Sequence, residues 1–434
     1  MNLDRFKDFE PDVRNLVLSF ENRQSGQRFF DVDQLEIIAD YYLEVADIEG
    51  LEAAVTFGER LYPANDEIRL RRAHLWSITG QYNQALRLLQ ELEKKSPRDT
   101  DICYAIGAIY SMTDQPRKAI EYYLRASDDG YELGLIYGNV ADEYYKLNQY
   151  GHAVNYYRKA IKANPDDEHA LYNLACTWDE MENLDTAIDF YKQQVSDNPF
   201  SKWAWYCLGC VYSWHSLYEQ GADAFEYAIA IDKTFYTAYL GLSEAYRYLG
   251  NQGRAVQALH DALPYADDRS YVVYTIGAIF RECGNYHTAI SYYHEVIKEN
   301  PSYGMAWGDI GLCCEAMGYK SDAEDHYRKA IDVEPDVDLH WLRLADFYLH
   351  EGDCRKACNL LENGRTDAAD VYSFDYRLVI CYQRMGRRNR MLHILRTLAR
   401  QYPSLMPDLL DQCPELADDF DAMTIISSAN PNNA

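Results

Sequence analysis

This 434-residue sequence predicts an all-α fold, an α-α superhelix of antiparallel helix pairs. Three observations predict it. A 34-residue period runs from Val32 to Leu405 without insertion or deletion, two columns of that period are held to one residue type, and each half of it spaces its apolar residues as a helix does. The eleven segments start at Val32, Asp66, Thr100, Gly134, Glu168, Lys202, Tyr236, Ser270, Gly304, Asp338 and Tyr372. Their eleventh column reads Tyr42, Trp76, Tyr110, Tyr144, Trp178, Tyr212, Tyr246, Phe280, Cys314, Tyr348 and Tyr382, aromatic in all but one. The eighth column is small, from Ala39 through Gly107, Gly209, Ser243 and Gly311 to Ala345, with only Val379 larger.

Residues 1–31 precede the repeat, and Val13, Leu16, Val17 and Phe20 at helical spacing predict a helix capping the first one. Within a repeat, Trp205, Leu208, Gly209 and Tyr212 follow i, i+3, i+4, i+7 spacing and form one apolar stripe, so the first half is an amphipathic helix. A short break follows. Gly80, Gly250, Gly284, Gly318, Gly352 and Gly386 occupy it, where a helix C-terminus favours positive φ. Ala187, Tyr191 and Gln194, like Ala153, Tyr157 and Ala160, form the second stripe, which makes each repeat a helix pair. Pro63, Pro97, Pro165, Pro199, Pro301, Pro335 and Pro403 punctuate the pairs, since proline lacks the amide a helix interior needs. A single pair cannot bury its own apolar face, whereas stacked pairs can. Residues 32–405 therefore read as one continuous solenoid of eleven repeats. Residues 406–434 follow as an acidic cap, with Leu409, Leu410 and Leu416 in one or two short helices and a frayed tail from Ser427.

The pattern W-x2-L-G-x2-Y, then Ala, an aromatic and Pro, resembles the signature of the tetratricopeptide repeat (TPR) family. Repeat six carries its first half in Trp205, Leu208, Gly209 and Tyr212, with Gly221 and Lys233 replacing the later Ala and Pro. Repeat five carries the second half in Ala187, Tyr191 and Pro199. The first and last copies depart most, with Leu51 and Gly58 in one and Asp375, Val379 and Met391 in the other, as terminal repeats do. The chain resembles stand-alone arrays of about eleven such repeats, of bacterial type.

Composition narrows the function. Against 42 Lys and Arg stand 69 Asp and Glu, a net charge of −27 that disfavours nucleic acid and anionic membrane surfaces. Asp4, Asp8, Glu10 and Asp12 speak against a secretory signal, and the longest uncharged run, Trp203 to Tyr218, is shorter than a membrane span. Eleven scattered cysteines fit free thiols and a cytoplasmic location. Cys207 and Cys210 form a C-x2-C without a second pair, and His294-Glu295 lacks the second histidine of H-E-x-x-H, so neither a metal nor any other cofactor is expected. No phosphate-binding loop or nucleophile elbow is present, and the chain is expected not to be an enzyme.

What the resemblance implies is recognition. In TPR arrays the first helix of each pair lines the concave face, through its second, fifth, sixth, ninth, twelfth and thirteenth positions. Here these positions supply Tyr104, Tyr172, Tyr206 and Tyr274 from the fifth and Asn139 and Asn173 from the sixth, with Tyr376 a further fifth-position ring. Repeat six adds Trp203 and Trp214, which the repeat itself does not require, and Arg247 and Arg281 contribute charge. Asn139 and Asn173 resemble part of a chaperone carboxylate clamp, but its Lys and Arg set is missing apart from Lys146, while the acidic balance favours a segment with basic and aromatic or apolar residues. Repeat eleven holds seven arginines, among them Arg384, Arg387, Arg388 and Arg390, against Asp375, and the tail beyond it holds six acids and no base. These arginines either receive the tail or bind an anionic partner. The expected function is a non-enzymatic scaffold or adaptor binding a peptide or protein segment. The alternative is a peptide-sensing regulatory or accessory subunit of an enzyme complex, and homo-oligomerisation stays open.

Overall fold

The computed structural model describes residues 11–22, 29–127, 133–366 and 368–429. Among these, 25 α-helices and three short 3-10 turns occur and no strand. The chain packs as two compact units, Met1–Ile231 and Asp232–Ala434. They divide between the sixth and seventh helix pairs.

In the first unit, α1 (Pro11–Glu21) places Val17 and Phe20 against α2, and Tyr42 donates to Glu21 at 3.3 Å. The pairs then run α2 (Val32–Glu44) with α3 (Ile48–Leu61), α4 (Asp66–Ile78) with α5 (Tyr82–Lys95), and α6 (Thr100–Met112) with α7 (Pro116–Ala126). They continue as α8 (Leu133–Lys146) with α9 (Tyr150–Ala163), α10 (Glu168–Glu180) with α11 (Leu184–Asp197), and α12 (Lys202–Trp214) with α13 (Tyr218–Ile231). Asp31, Asn65, Asp99, Asp167 and Ser201 stand at one repeat position and accept the amide three residues on, each capping a first helix.

The second unit holds α14 (Tyr236–Tyr248) with α15 (Gln252–Ala262), α16 (Arg269–Glu282) with α17 (Tyr286–Glu299), and α18 (Gly304–Ala316) with α19 (Lys320–Val333). Next come α20 (Asp338–His350) with α21 (Cys354–Gly364), and α22 (Val371–Arg384) with α23 (Arg388–Gln401). Two short helices, α24 (Met406–Gln412) and α25 (Phe420–Ala429), close it. Met406, Leu409, Cys413, Leu416, Ala422 and Ile426 join the same apolar core as Leu395 and Leu398 of α23. The tail expected to fray from Ser427 is helical to Ala429, because burial of Ile426 anchors that last turn. Residues 1–10, 23–28 and 430–434 of the two terminal segments lie outside the described residues.

Two side-chain rules make the period. The turn inside every pair needs a left-handed residue at the fifteenth position. Six glycines take it at φ 70–79°, but Ala46, Asp114, Asn148, Glu182 and Ser216 take it too, at φ 51–60°. The turn geometry is therefore set by the helix pair, and glycine is only its cheapest occupant. The second rule links the eighth column to the twenty-fourth. A Cβ on Gly107, Gly209, Gly277 or Gly311 would come within 2.6–2.8 Å of the ring of Tyr123, Phe225, Tyr293 or Tyr327. Ala73 and Ala345 stand in repeats whose twenty-fourth residues are Leu89 and Leu361, whereas Ala141 and Ala175 share their repeats with Tyr157 and Tyr191, so the pairing is a tendency of the glycine repeats. The signature tryptophan and proline are joined as well: the indole Nε1 of Trp205, Trp307 and Trp341 donates to the carbonyl of Pro199, Pro301 and Pro335 at 2.8–3.0 Å.

Candidate functional site

In the first unit the candidate residues fall on α6, α8, α10 and α12. Trp203, Tyr206, Cys210 and Trp214 are spaced i, i+3, i+7 and i+11, which sets them along one stripe of α12. Trp203 meets Tyr206 edge-on at 5.6 Å, and Tyr206 lies nearly parallel to Tyr172 of α10 at 6.3 Å. Tyr206 also tilts onto Phe225 at 5.7 Å, which half-buries it, while Tyr172 and Trp214 remain 38% and 37% exposed. Burial and the neighbouring Cys176 push the Tyr172 hydroxyl up to about 12, and burial and Cys210 raise Tyr206 further, so both are neutral donors at physiological pH. The result is a partly exposed aromatic surface carried by two adjacent first helices.

The asparagines are engaged within the protein. Asn139 donates its amide to Tyr104 at 3.1 Å, and Asn173 donates to Asp142 at 3.3 Å, so each ties its helix to the preceding first helix. Asp142 also accepts from Tyr157 at 2.5 Å and lies 3.2 Å from His169, whose pKa it raises through that hydrogen bond. Beside it Glu143, 2% exposed, accepts from Ser111 and Lys146, each at 2.6 Å. Tyr104 tilts onto Tyr123 at 5.5 Å. These groups tie successive first helices together and leave an acidic, hydrogen-bonded floor.

In the second unit Arg247 lies 3.8 Å from Glu282 and over the ring of Tyr248. Arg281 and Tyr274 converge on Asp309, which is 1% exposed. Tyr274 and Tyr293 donate to its Oδ2 at 2.9 and 3.2 Å, Arg281 is 3.6 Å away, and Arg343 reaches Oδ1 at 2.9 Å. Gly308 makes room, since a Cβ there would lie 2.7 Å from Arg343 Nη1. Asp309 and Glu143 escaped sequence reasoning. The signal for Asp309 was its place in the sixth column with Asn139, Asn173 and Arg343; Glu143, in the tenth, had none.

The arginines of the last repeat separate by position. Arg388 holds Asp419 at 2.6 and 2.9 Å and Asp421 at 2.5 Å, which raises its own pKa through those bonds. Arg390 holds Glu362 at 2.9 Å and covers the Tyr382 ring, and Arg387 is the residue preceding α23. Arg384 instead lines a cavity of about 550 Å³ between α20, α22 and α24, with Leu349, Tyr376, Ile380, Asp408 and Asp411. Among the described residues no group of three or more His, Cys, Asp and Glu is placed to hold a metal ion, and no helix is long and apolar enough to cross a membrane.

Tetratricopeptide-repeat family models match residues 135–167, 271–303, 306–337 and 374–404. The photosystem I assembly protein Ycf3 of Dioscorea elephantipes is 27% identical over 117 residues, 22% of this chain and 67% of that relative. Among solved structures, the APC/C hetero-tetramer Cut9-Hcn1 is similar at 13% identity and a TM-score of 0.37, covering 92% of this chain and 90% of that one. YrrB, a TPR protein with an unusual peptide-binding site, is similar at 23% identity and a TM-score of 0.33, covering 42% of this chain and 95% of that one.

Proposed function

The chain carries tetratricopeptide repeats, and on that premise we propose that it is a protein-protein interaction scaffold whose first helices hold a peptide or an extended segment of a partner protein. One observation carries the reading. Trp203, Tyr206, Tyr172 and Trp214 form a partly exposed aromatic surface on α10 and α12, two of these rings are not demanded by the repeat, and half-buried aromatics are the usual anchors of protein interfaces. The acidic floor of Asp142 and Glu143 and the net charge of −27 favour a segment mixing basic with aromatic or apolar residues. Tyr104, Asn139 and Asn173 act in this reading mainly by holding that floor in place. Tyr274, Arg247 and Arg281 contribute a second, charged stretch of the surface in the other unit. Similarity to a protein named for assembly supports a partner-holding role over catalysis.

The test is capture with the full chain and with a Trp203→Ala/Trp214→Ala variant. Both side chains are partly exposed, so the melting temperature should fall by no more than a few degrees while the partners retained by the wild type are lost. Identical partner sets for the two proteins would refute the proposal. A partner that is a large protein retained in stoichiometric amount favours the scaffold. A short peptide that raises the melting temperature by mass action favours the regulatory subunit instead.

A further inference from the structure

We propose that the cavity between α20, α22 and α24 binds a basic side chain, an arginine or lysine of a partner segment, with an apolar neighbour of that residue on its floor. The inference takes from the preceding reading only that the ligand is a protein segment, and none of its residues belongs to α10 or α12. A volume of about 550 Å³ lies within the range of ligand sites, and Leu349 and Ile380 give it an apolar floor.

The charged groups decide the chemistry. Asp346 and Arg377 close on each other through two bonds, at 2.6 and 2.8 Å, and are satisfied. Asp408 and Asp411 stand three residues apart on α24 and so share a face; both are exposed, and neither has an ion pair among the described residues. Arg384 is the one other guanidinium on the wall. Three carboxylates stand against two guanidinium groups and His350, whose ring lies 3.4 Å from Glu315, so with a neutral imidazole the lining is net negative, in a chain whose net charge of −27 attracts cations. Arg384 is exposed and shares the lining with Asp408 and Asp411, so an anionic ligand meets one guanidinium and two carboxylates there. A cationic side chain finds two carboxylates, and its aliphatic stem and apolar neighbour cover Leu349 and Ile380.

The experiment uses the full chain with methyl-labelled Leu and Ile, titrated with N-acetyl-Leu-Arg-amide. The methyl resonances of Leu349 and Ile380 should shift saturably. Affinity should fall about tenfold in Asp408→Asn/Asp411→Asn, about tenfold when citrulline replaces arginine, and again when salt rises from 50 to 500 mM. Both aspartate side chains are exposed and hold no other element, so the variant keeps its fold. Equal affinity for the citrulline probe, an unaffected Asn variant, or tighter binding of N-acetyl-Leu-Glu-amide would overturn the proposal. Shifts caused by Ca²⁺ but not by the arginine probe would overturn it in favour of a metal. Trp203→Ala/Trp214→Ala should bind the probe like the wild type, so failure of the aromatic surface and failure of this cavity are read separately.

Discussion

His74 and His169 show how single residues give this scaffold opposing responses to pH. Burial, with Arg71 nearby, depresses His74 from 6.5 to about 4. As pH falls below 6.5 the unfolded chain takes up this proton before the folded one can, so His74 costs stability progressively between about pH 6.5 and 4. His169 has the reverse sign. Its hydrogen bond to Asp142 raises its pKa, so the stability it contributes is fully present below its unfolded value and is lost as pH rises through its folded value. Relative to wild type, His74→Gln should gain melting temperature as pH drops from 7 to 5, and His169→Gln should lose it over the same interval. Difference curves of equal sign, measured by calorimetry across that range, would show that these environments are misassigned.

At the scale of the helix pair, a coupling between two columns is testable as a double-mutant cycle. Gly209→Ala puts a Cβ 2.6 Å from Phe225 and should cost about 1–3 kcal/mol by overpacking, and Phe225→Leu should cost about 1–2 kcal/mol by cavity formation. Together they recreate the Ala73 with Leu89 combination, so denaturant unfolding of the double variant should show a loss at least 1 kcal/mol smaller than the sum. The fifteenth position offers a second test. Glu182→Gly should stabilise by about 0.5–1 kcal/mol by relieving a left-handed backbone, whereas Gly284→Ala should destabilise by about 1 kcal/mol. These rules also mark what the sequence discloses. The period and the helix pairs were legible because each repeats eleven times, and the glycine turns because six of the eleven repeats carry glycine there, so a single residue's noise averages out. Ala46 and Glu182 in the same turn were not, because the pair's geometry overrides their own preference. The columns named the candidate residues but not the partners of Asn139 and Asn173, both half-buried. A column gives a side chain's direction, whereas its partner depends on which residue the next repeat places opposite, here Tyr104 and Asp142.

For the molecule as a whole, stability in a repeat array is a sum of pair and neighbour terms, so an end without a cap exposes a face that every interior pair covers. Residues 406–429 provide that cover on the second unit, and two forces hold them. One is charge, through Arg388 with Asp419 and Asp421. The other is apolar burial of Met406, Leu409, Cys413, Leu416, Ala422 and Ile426 in the core that includes Met391, Leu395 and Leu398. The two differ in their response to salt. An exposed ion pair is weak and screened at high ionic strength, whereas burying an aliphatic side chain is worth about 1.5–3 kcal/mol and is insensitive to screening. Apolar burial should therefore dominate. Deleting residues 406–434 is expected to lower the melting temperature substantially, by nearly the same amount at 50 and 500 mM NaCl. Hydrogen exchange should accelerate first in α22 and α23, while α2 to α13 keep their protection. A destabilisation that disappears at high salt would instead make the arginines the principal link, and a truncated chain of unchanged stability would show that these helices are not a cap at all.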